Sequence, residues 1–208
     1  VINKIDYWFI SHLDLDHYGG FVSLIYNKRI NEVYRPLPDS GLKSIRLEKF
    51  LKDMKVKTGI YDKKSFDVGN AKIYFLNDPY NYYYKSFSSN NKSGVLKIVY
   101  GNTSFLFVGD CEHPAENYLA SYFRNMLDSD VLKVGHHGSS TGSSEAFLYL
   151  VSPKISLVSA GIKNKFNHPV ESVINSLNTM NSKIYRTDHL GAVLLESNGT
   201  NIKYVNWK

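Results

Sequence analysis

Thiols are almost absent from this chain. Its 208 residues hold one cysteine, Cys111, so an internal disulfide and a thiolate metal site are both excluded. Long hydrophobic runs are missing too. No stretch approaches the roughly 18 apolar residues of a membrane span, although 43% of the residues are hydrophobic. Acidic residues are outnumbered: 19 Asp and Glu face 25 Lys and Arg, a net charge of +6. That balance suits a polyanionic substrate or an anionic membrane surface, though Lys-rich and Asn-rich composition gives the same sign. An initiator Met is lacking, and Val1-Ile2-Asn3 leads almost at once into apolar sequence. The expectation is a piece cut from a longer protein. No low-complexity linker divides it, so residues 1–208 are expected to form one domain with a substantial core.

What is present concentrates near the start. Tyr7-Trp8-Phe9-Ile10 is apolar, and Ser11-His12-Leu13-Asp14-Leu15-Asp16-His17-Tyr18-Gly19-Gly20 follows directly. Two imidazoles and two carboxylates fall within six residues. A short apolar run ending in such a cluster reads as a buried strand delivering metal ligands at its C-terminal end. Mixed nitrogen and oxygen donors suit Zn²⁺, Mn²⁺ or Fe²⁺ better than Ca²⁺. The competing reading is a capped turn, with Asp16 as a helix N-cap. Gly19-Gly20 predicts a tight turn into a helix.

Periodicity predicts strands at Ile5–Ser11, Glu32–Tyr34, Lys72–Phe75, Gly94–Tyr100, Ser104–Val108, Val131–Val134, Ile155–Val158, Lys183–Arg186, Ala192–Glu196 and Asn201–Val205. Helices are predicted at Tyr18–Tyr26, Leu42–Met54, Pro114–Asn125, Glu145–Val151 and Pro169–Thr179. Residues 78–91 read as a long polar, aromatic loop. Tyr82, Tyr83, Tyr84 and Lys85 there suit stacking on the bases of a single strand, but a self-packed surface loop is the preferred reading.

The later strands also end in chemistry. Ser104–Val108 runs into Gly109-Asp110, and Val131–Val134 into Gly135-His136-His137-Gly138-Ser139. Ile155–Val158 is followed by His168, and Lys183–Arg186 by Asp188-His189. Sheet enzymes gather their ligands at strand C-terminal ends, so one convergent polar pocket is expected. Two metals about 3.5–4 Å apart need a bridging carboxylate. Asp110 is the natural bridge, and an N-cap for the helix near Pro114 is its structural alternative. His168 as a mere helix start, and Asp188 with His189 as turn residues, are the corresponding alternatives there.

The order His12-x-Asp14-x-Asp16-His17-x-Gly-Gly, then Gly109-Asp110, then His136-His137-Gly138-Ser139, resembles the metallo-β-lactamase superfamily. Asn91-Lys92-Ser93-Gly94-Val95, Asn167-His168-Pro169 and Tyr185-Arg186-Thr187-Asp188-x-x-Gly191 make it most similar to the C-terminal hydrolase domain of ComEC-type DNA-internalization competence proteins. The resemblance implies an α/β fold of αββα type, a four-layer sandwich of two mixed sheets with outer helices. It implies two divalent ions, Zn or Mn. His12 and Asp14 would serve one, Asp16, His17 and His168 the other, and Asp110 would bridge them. His136, His137 and Asp16 would carry the catalytic roles, and Asn91, Ser139 and Asp188 would contact substrate.

Two departures from the family pattern stand out. Its usual opening strands are missing, so the domain is expected to be N-terminally incomplete, with an open sheet face and edge. Its common His between the first cluster and the bridging Asp is replaced, at about that place, by Asn91 or Ser93. That favours Mn²⁺ or loosely held Zn²⁺. The function expected is a metal-dependent phosphodiesterase acting on nucleic acid, most directly a competence-related nuclease. The alternatives are a hydrolase of another ester, such as a phosphocholine ester, or of a lactam or lactone, and a non-catalytic nucleic-acid-binding module. The resemblance also implies a parent protein in a bacterial plasma membrane, with this domain extracytoplasmic and joined to a membrane channel domain. A soluble cytoplasmic or secreted hydrolase is the alternative.

Overall fold

Side chains that alternate along the strands sort into three apolar clusters, and those clusters define the layers of the computed structural model, which describes residues 3–206. One sheet contains β1 (Lys4–Phe9), β2 (Arg29–Arg35) and β3 (Lys57–Ile60), in that order. A second sheet contains β4 (Ser65–Val68), β5 (Ala71–Phe75), β6 (Leu96–Tyr100), β7 (Thr103–Phe107), β8 (Val131–Lys133), β9 (Ile155–Val158) and β10 (Lys183–Arg186), in the order β10-β9-β8-β7-β6-β5-β4. On β1, Tyr7 and Phe9 point between the sheets, while Trp8 and the following Ile10 point outward. On β5, Ile73 and Phe75 point between the sheets, and Tyr74 and Leu76 point outward. A period of two with both faces apolar needs cover on both faces.

Helices supply that cover. The first sheet's outer face packs on α1 (Leu15–Ile25) and α2 (Leu42–Asp53) through Phe21, Ile25, Leu47 and Leu51. The short α3 (Tyr82–Lys85) lies in the connection from β5 to β6. The second sheet's outer face packs on α4 (His113–Phe123), α5 (Glu145–Val151) and α6 (Glu171–Thr179) through Leu119, Phe147, Leu148, Val173 and Leu177. Full burial of one such side chain is worth about 1.5–3 kcal/mol. A one-turn helix, α7 (Thr187–Leu190), and a hairpin of β11 (Leu194–Ser197) and β12 (Ile202–Val205) complete the chain. The expected αββα sandwich is observed.

The differences from expectation are local. The first sheet is parallel throughout, whereas the second mixes antiparallel β4–β7 with parallel β7–β10. Strands β3 and β4 were not foreseen from the sequence. Gly19 and Gly20 form no turn; they lie inside α1, which begins at Leu15. Part of the expected loop is helical at Tyr82–Lys85, where Tyr84 is buried while Tyr82 and Tyr83 are exposed. Beside β1, between the sheets, opens a cavity of about 450 Å³ lined by Tyr7, Trp8, Phe9, Leu96, Ile98 and Phe107 among others. No helix among the described residues is long and apolar enough to cross a membrane.

Parallel pairing across β7, β8 and β9 puts Phe105, Val131 and Ile155 in one register row. Their C-terminal ends therefore meet at one sheet edge, and the segments after them face the segment after β1.

Candidate metal centre

Backbone contacts bring those ends together. Gly94 N–H donates to Ser11 carbonyl at 2.7 Å, and His136 N–H donates to Gly109 carbonyl at 3.2 Å. Gly109 is needed at this junction. Its φ is +56°, and an added Cβ would sit 2.7 Å from Ser93 Cβ and 2.8 Å from Ser11 Cβ. Left-handed backbone and a filled contact both oppose a side chain. Gly109→Ala is expected to destabilise the protein by roughly 2–4 kcal/mol and to lower metal affinity. A thermal melt and a metal titration check this; an unchanged melt contradicts it.

Six of the sequence-predicted residues converge. His12 Nε2 lies 3.6 Å from Asp14 Oδ2 and 3.7 Å from Asp110 Oδ2. His17 Nε2 lies 3.3 Å from Asp110 Oδ1 and 3.7 Å from Asp16 Oδ2. His137 Nε2 lies 3.3 Å from Asp16 Oδ2, 3.7 Å from Asp110 Oδ2 and 3.3 Å from His17 Nε2. Two donor groups result: His12, His17 and Asp110, and Asp16, His17 and His137. Ligands about 2.1 Å from a tetrahedral ion are about 3.4 Å from one another, which is the spacing seen. His12 Nε2 and Asp110 Oδ1 are buried without a hydrogen-bond partner. A buried lone pair left unmatched is costly, and a divalent cation would satisfy both atoms. The donor set fits borderline divalent ions.

The ring nitrogens facing away from the centre are held. His137 Nδ1 donates to Ser159 carbonyl at 2.7 Å, which leaves the Nε2 lone pair free for a metal. His17 Nδ1 meets Ser11 Oγ at 3.0 Å. His12 Nδ1 lies 3.3 Å from Ser11 Oγ and 3.4 Å from Ser93 Oγ. Ser93 Oγ also accepts the Asp110 N–H at 3.0 Å. Ser93 thus stands behind His12, and Asn91 does not.

Electrostatics favour the liganding states. Burial raises the Asp110 carboxyl, but the close approach of the His17 imidazole, with His137 and His12 nearby, outweighs it, so its pKa falls to about 2. Burial first, then His17, lowers the pKa of His12 below 6.5, so its imidazole is neutral at physiological pH. A hydrogen bond from Lys43 lowers Asp14, with Lys43 Nζ 2.6 Å from Asp14 Oδ1. With its folded pKa depressed, His12 takes up protons preferentially in the unfolded chain below 6.5. Stability present above that value is therefore lost as the pH falls. The metal-free protein is expected to lose melting temperature between about pH 7 and about pH 5, and His12→Gln to reduce that slope. Equal slopes in melts of the two proteins contradict this.

Not every predicted residue joins the centre. Neither donor group includes His168; its ring centroid lies 5.8 Å from that of His136 and it stacks on Phe166. The third member of the second donor group is His137. The Asn91 side chain is fully committed. Its Nδ2 donates to Ser88 Oγ and Glu112 Oε2, and its Oδ1 accepts from the N–H of Glu112 and of Ala115. Expected at the substrate, Asn91 instead anchors the start of α4. Asp188 is paired with Arg186 at 2.6 Å. Ser139 is buried, and its Oγ bonds Thr141 Oγ1 at 3.0 Å.

That last contact leads to residues the sequence reading missed. Thr141 Oγ1 lies 3.0 Å from His136 Nδ1, and Glu112 Oε1 lies 3.4 Å from the same atom. His136 and His137 both adopt left-handed backbone, with φ of 45° and 55°. Such strain costs about 1–3 kcal/mol per residue and marks functional sites. Glu112 had one signal, its place two residues after Asp110; Lys43 and Thr141 had none.

Residues 88–162 match the family model described as the metallo-beta-lactamase superfamily. CmlA, a diiron β-hydroxylase from Streptomyces venezuelae, shares the fold with a TM-score of 0.59 at 14% identity, over 89% of this chain and 44% of that one. In fold, and in sequence over residues 88–162, the chain is similar to the metallo-β-lactamase superfamily. It is also similar to competence protein ComA of Neisseria gonorrhoeae, 31% identical over 92% of this chain. It is likewise similar to ComE operon protein 3 of Bacillus subtilis, 30% identical over 92% of this chain. It spans 25% and 24% of those two proteins.

Proposed function

We propose that the chain is a two-metal hydrolase of phosphodiesters, with DNA as the substrate class. The observation that carries this reading is the pair of donor groups sharing His17, with Asp110 between them and His136 alongside. When bound, two divalent ions supply Lewis acidity toward phosphoryl oxygens and an activated water. His12, Asp14 and Asp110 would hold one ion, and Asp16, His17, His137 and Asp110 the other. His136 has its Nδ1 engaged by Thr141 and Glu112, which orients the ring and reserves Nε2 to protonate the leaving oxygen. The positive net charge of +6 favours a polyanion, and the similarity to competence proteins favours DNA. In this reading the domain is one part of a longer bacterial membrane protein, lies outside the plasma membrane, and is joined to a channel.

A substrate panel tests it. The Mn²⁺-loaded protein is expected to hydrolyse bis(p-nitrophenyl) phosphate and single-stranded DNA. Turnover of a lactam, or of a phosphocholine ester with DNA left intact, contradicts the proposal. DNA binding with no uptake of Mn²⁺ or Zn²⁺ would instead favour a non-catalytic binding module.

A further inference from the structure

A second feature opens directly off the metal centre. A cleft of about 510 Å³ begins at His12 and Asp14 and runs between the β2–α2 connection and the segment carrying α3. Its walls include Leu37, Leu42 and Pro79, and its cations are Arg35, Lys43, Lys85 and Lys92. Arg35 is neutralised by Glu48, which accepts two hydrogen bonds from it at 2.7 Å. Lys43 is paired with Asp14 at the metal end. Lys85 and Lys92 have no carboxylate partner among the described residues. Two unpaired cations along a cleft that starts at a hydrolytic centre are complementary to a polyanion. The short helix that supplies Lys85 also exposes Tyr82 and Tyr83, whose ring centroids lie 6.0 Å apart. Exposed rings beside a cationic groove form a platform for unpaired bases. The cleft's volume is that of a small-ligand pocket.

We propose that this cleft carries the single-stranded polynucleotide flanking the scissile phosphate, with Lys85 and Lys92 on its phosphates and Tyr82 and Tyr83 on its bases. The inference rests on the phosphodiester reading and adds the path and strandedness of the substrate to it. Among the described residues the Lys85 and Lys92 side chains make no hydrogen bond or ion pair, so their replacement is expected to keep the protein folded.

The test is anisotropy binding of a labelled phosphorothioate oligothymidylate to the Mn²⁺-loaded chain across a salt series. Lys85→Ala/Lys92→Ala is expected to weaken binding about tenfold and to reduce the salt slope by about 1.4, at about 0.7 per phosphate contact on a single strand. Tyr82→Ala/Tyr83→Ala is expected to weaken binding with the slope unchanged. Wild-type affinity and slope in the lysine variant overturn the cleft. So does duplex binding equal to single-strand binding with the same lysine dependence. Hydrolysis of bis(p-nitrophenyl) phosphate by the wild-type chain is scored separately. If it occurs while the lysines prove silent, the cleft fails and the hydrolase reading stands. If it is absent while the lysines still govern binding, the hydrolase reading fails and the cleft stands as a binding site.

Discussion

Asp110→Asn is expected to lower phosphodiester turnover by at least about 10³-fold, because the substitution keeps the shape and removes the one charge that both proposed ions would share. Asp110 Oδ2 faces His12 Nε2 and His137 Nε2, while Oδ1 faces His17 Nε2. No other described carboxylate reaches all three imidazoles. Asp110 is also the group whose pKa is held at about 2, so the charge is present across the whole working range. An asparagine offers one carbonyl oxygen and no charge, and its amide nitrogen would confront an imidazole or a cation. Metal titration and steady-state kinetics on the variant check this. Wild-type turnover, with far-ultraviolet circular dichroism showing an intact fold, contradicts it.

His136→Ala should act differently. It is expected to lower kcat by about 10²–10⁴-fold, the usual contribution of a positioned acid, while metal content stays at the wild-type level. His136 belongs to neither donor group, and its Nδ1 is held by Thr141 and Glu112. Glu112→Gln should show a smaller loss in the same direction, with metal content again retained. The pairing of kinetics with metal analysis separates the roles. If His136→Ala strips the metal, His136 is a ligand and the assignment fails. If turnover of an ester with an activated leaving group falls much less than turnover of DNA, the assignment of His136 to the leaving oxygen is supported.

The sequence already carried the liganding cluster at β1 because all four residues are local: two lie in the loop after the strand and two in the first turn of α1. Asp110 was legible for a similar reason, as a strand end followed by a structural break. The division of labour among His136, His137 and His168 was not. It depends on two consecutive left-handed residues that turn His137 toward Ser159 and His17, and no pattern in Gly-His-His-Gly announces that backbone.

The family resemblance implied the layer order and periodicity located most of the strands, yet β3 and β4 escaped it. Lys57–Ile60 and Ser65–Val68 are mostly exposed and contain charged residues and Gly59. Gly59 is required there because an added Cβ would lie 2.3 Å from the Tyr34 ring, a tertiary reason that the local sequence hides. Gly19-Gly20 misled in the opposite sense. Glycine favours turns and costs about 0.5–1 kcal/mol within a helix, yet tertiary packing of Phe21 and Ile25 holds α1 through it. Asn91 was a reasonable substrate candidate by position alone; only its four contacts show that its amide is already spent.

In the proposed function one chain holds two divalent ions through Asp110. Metal content, measured by inductively coupled plasma mass spectrometry after equilibration with Mn²⁺ or Zn²⁺ and removal of free ion, addresses it directly. Two ions per wild-type chain and a clear deficit in Asp110→Asn are expected. One ion or none in the wild-type chain, or an undiminished pair in the variant, would contradict it.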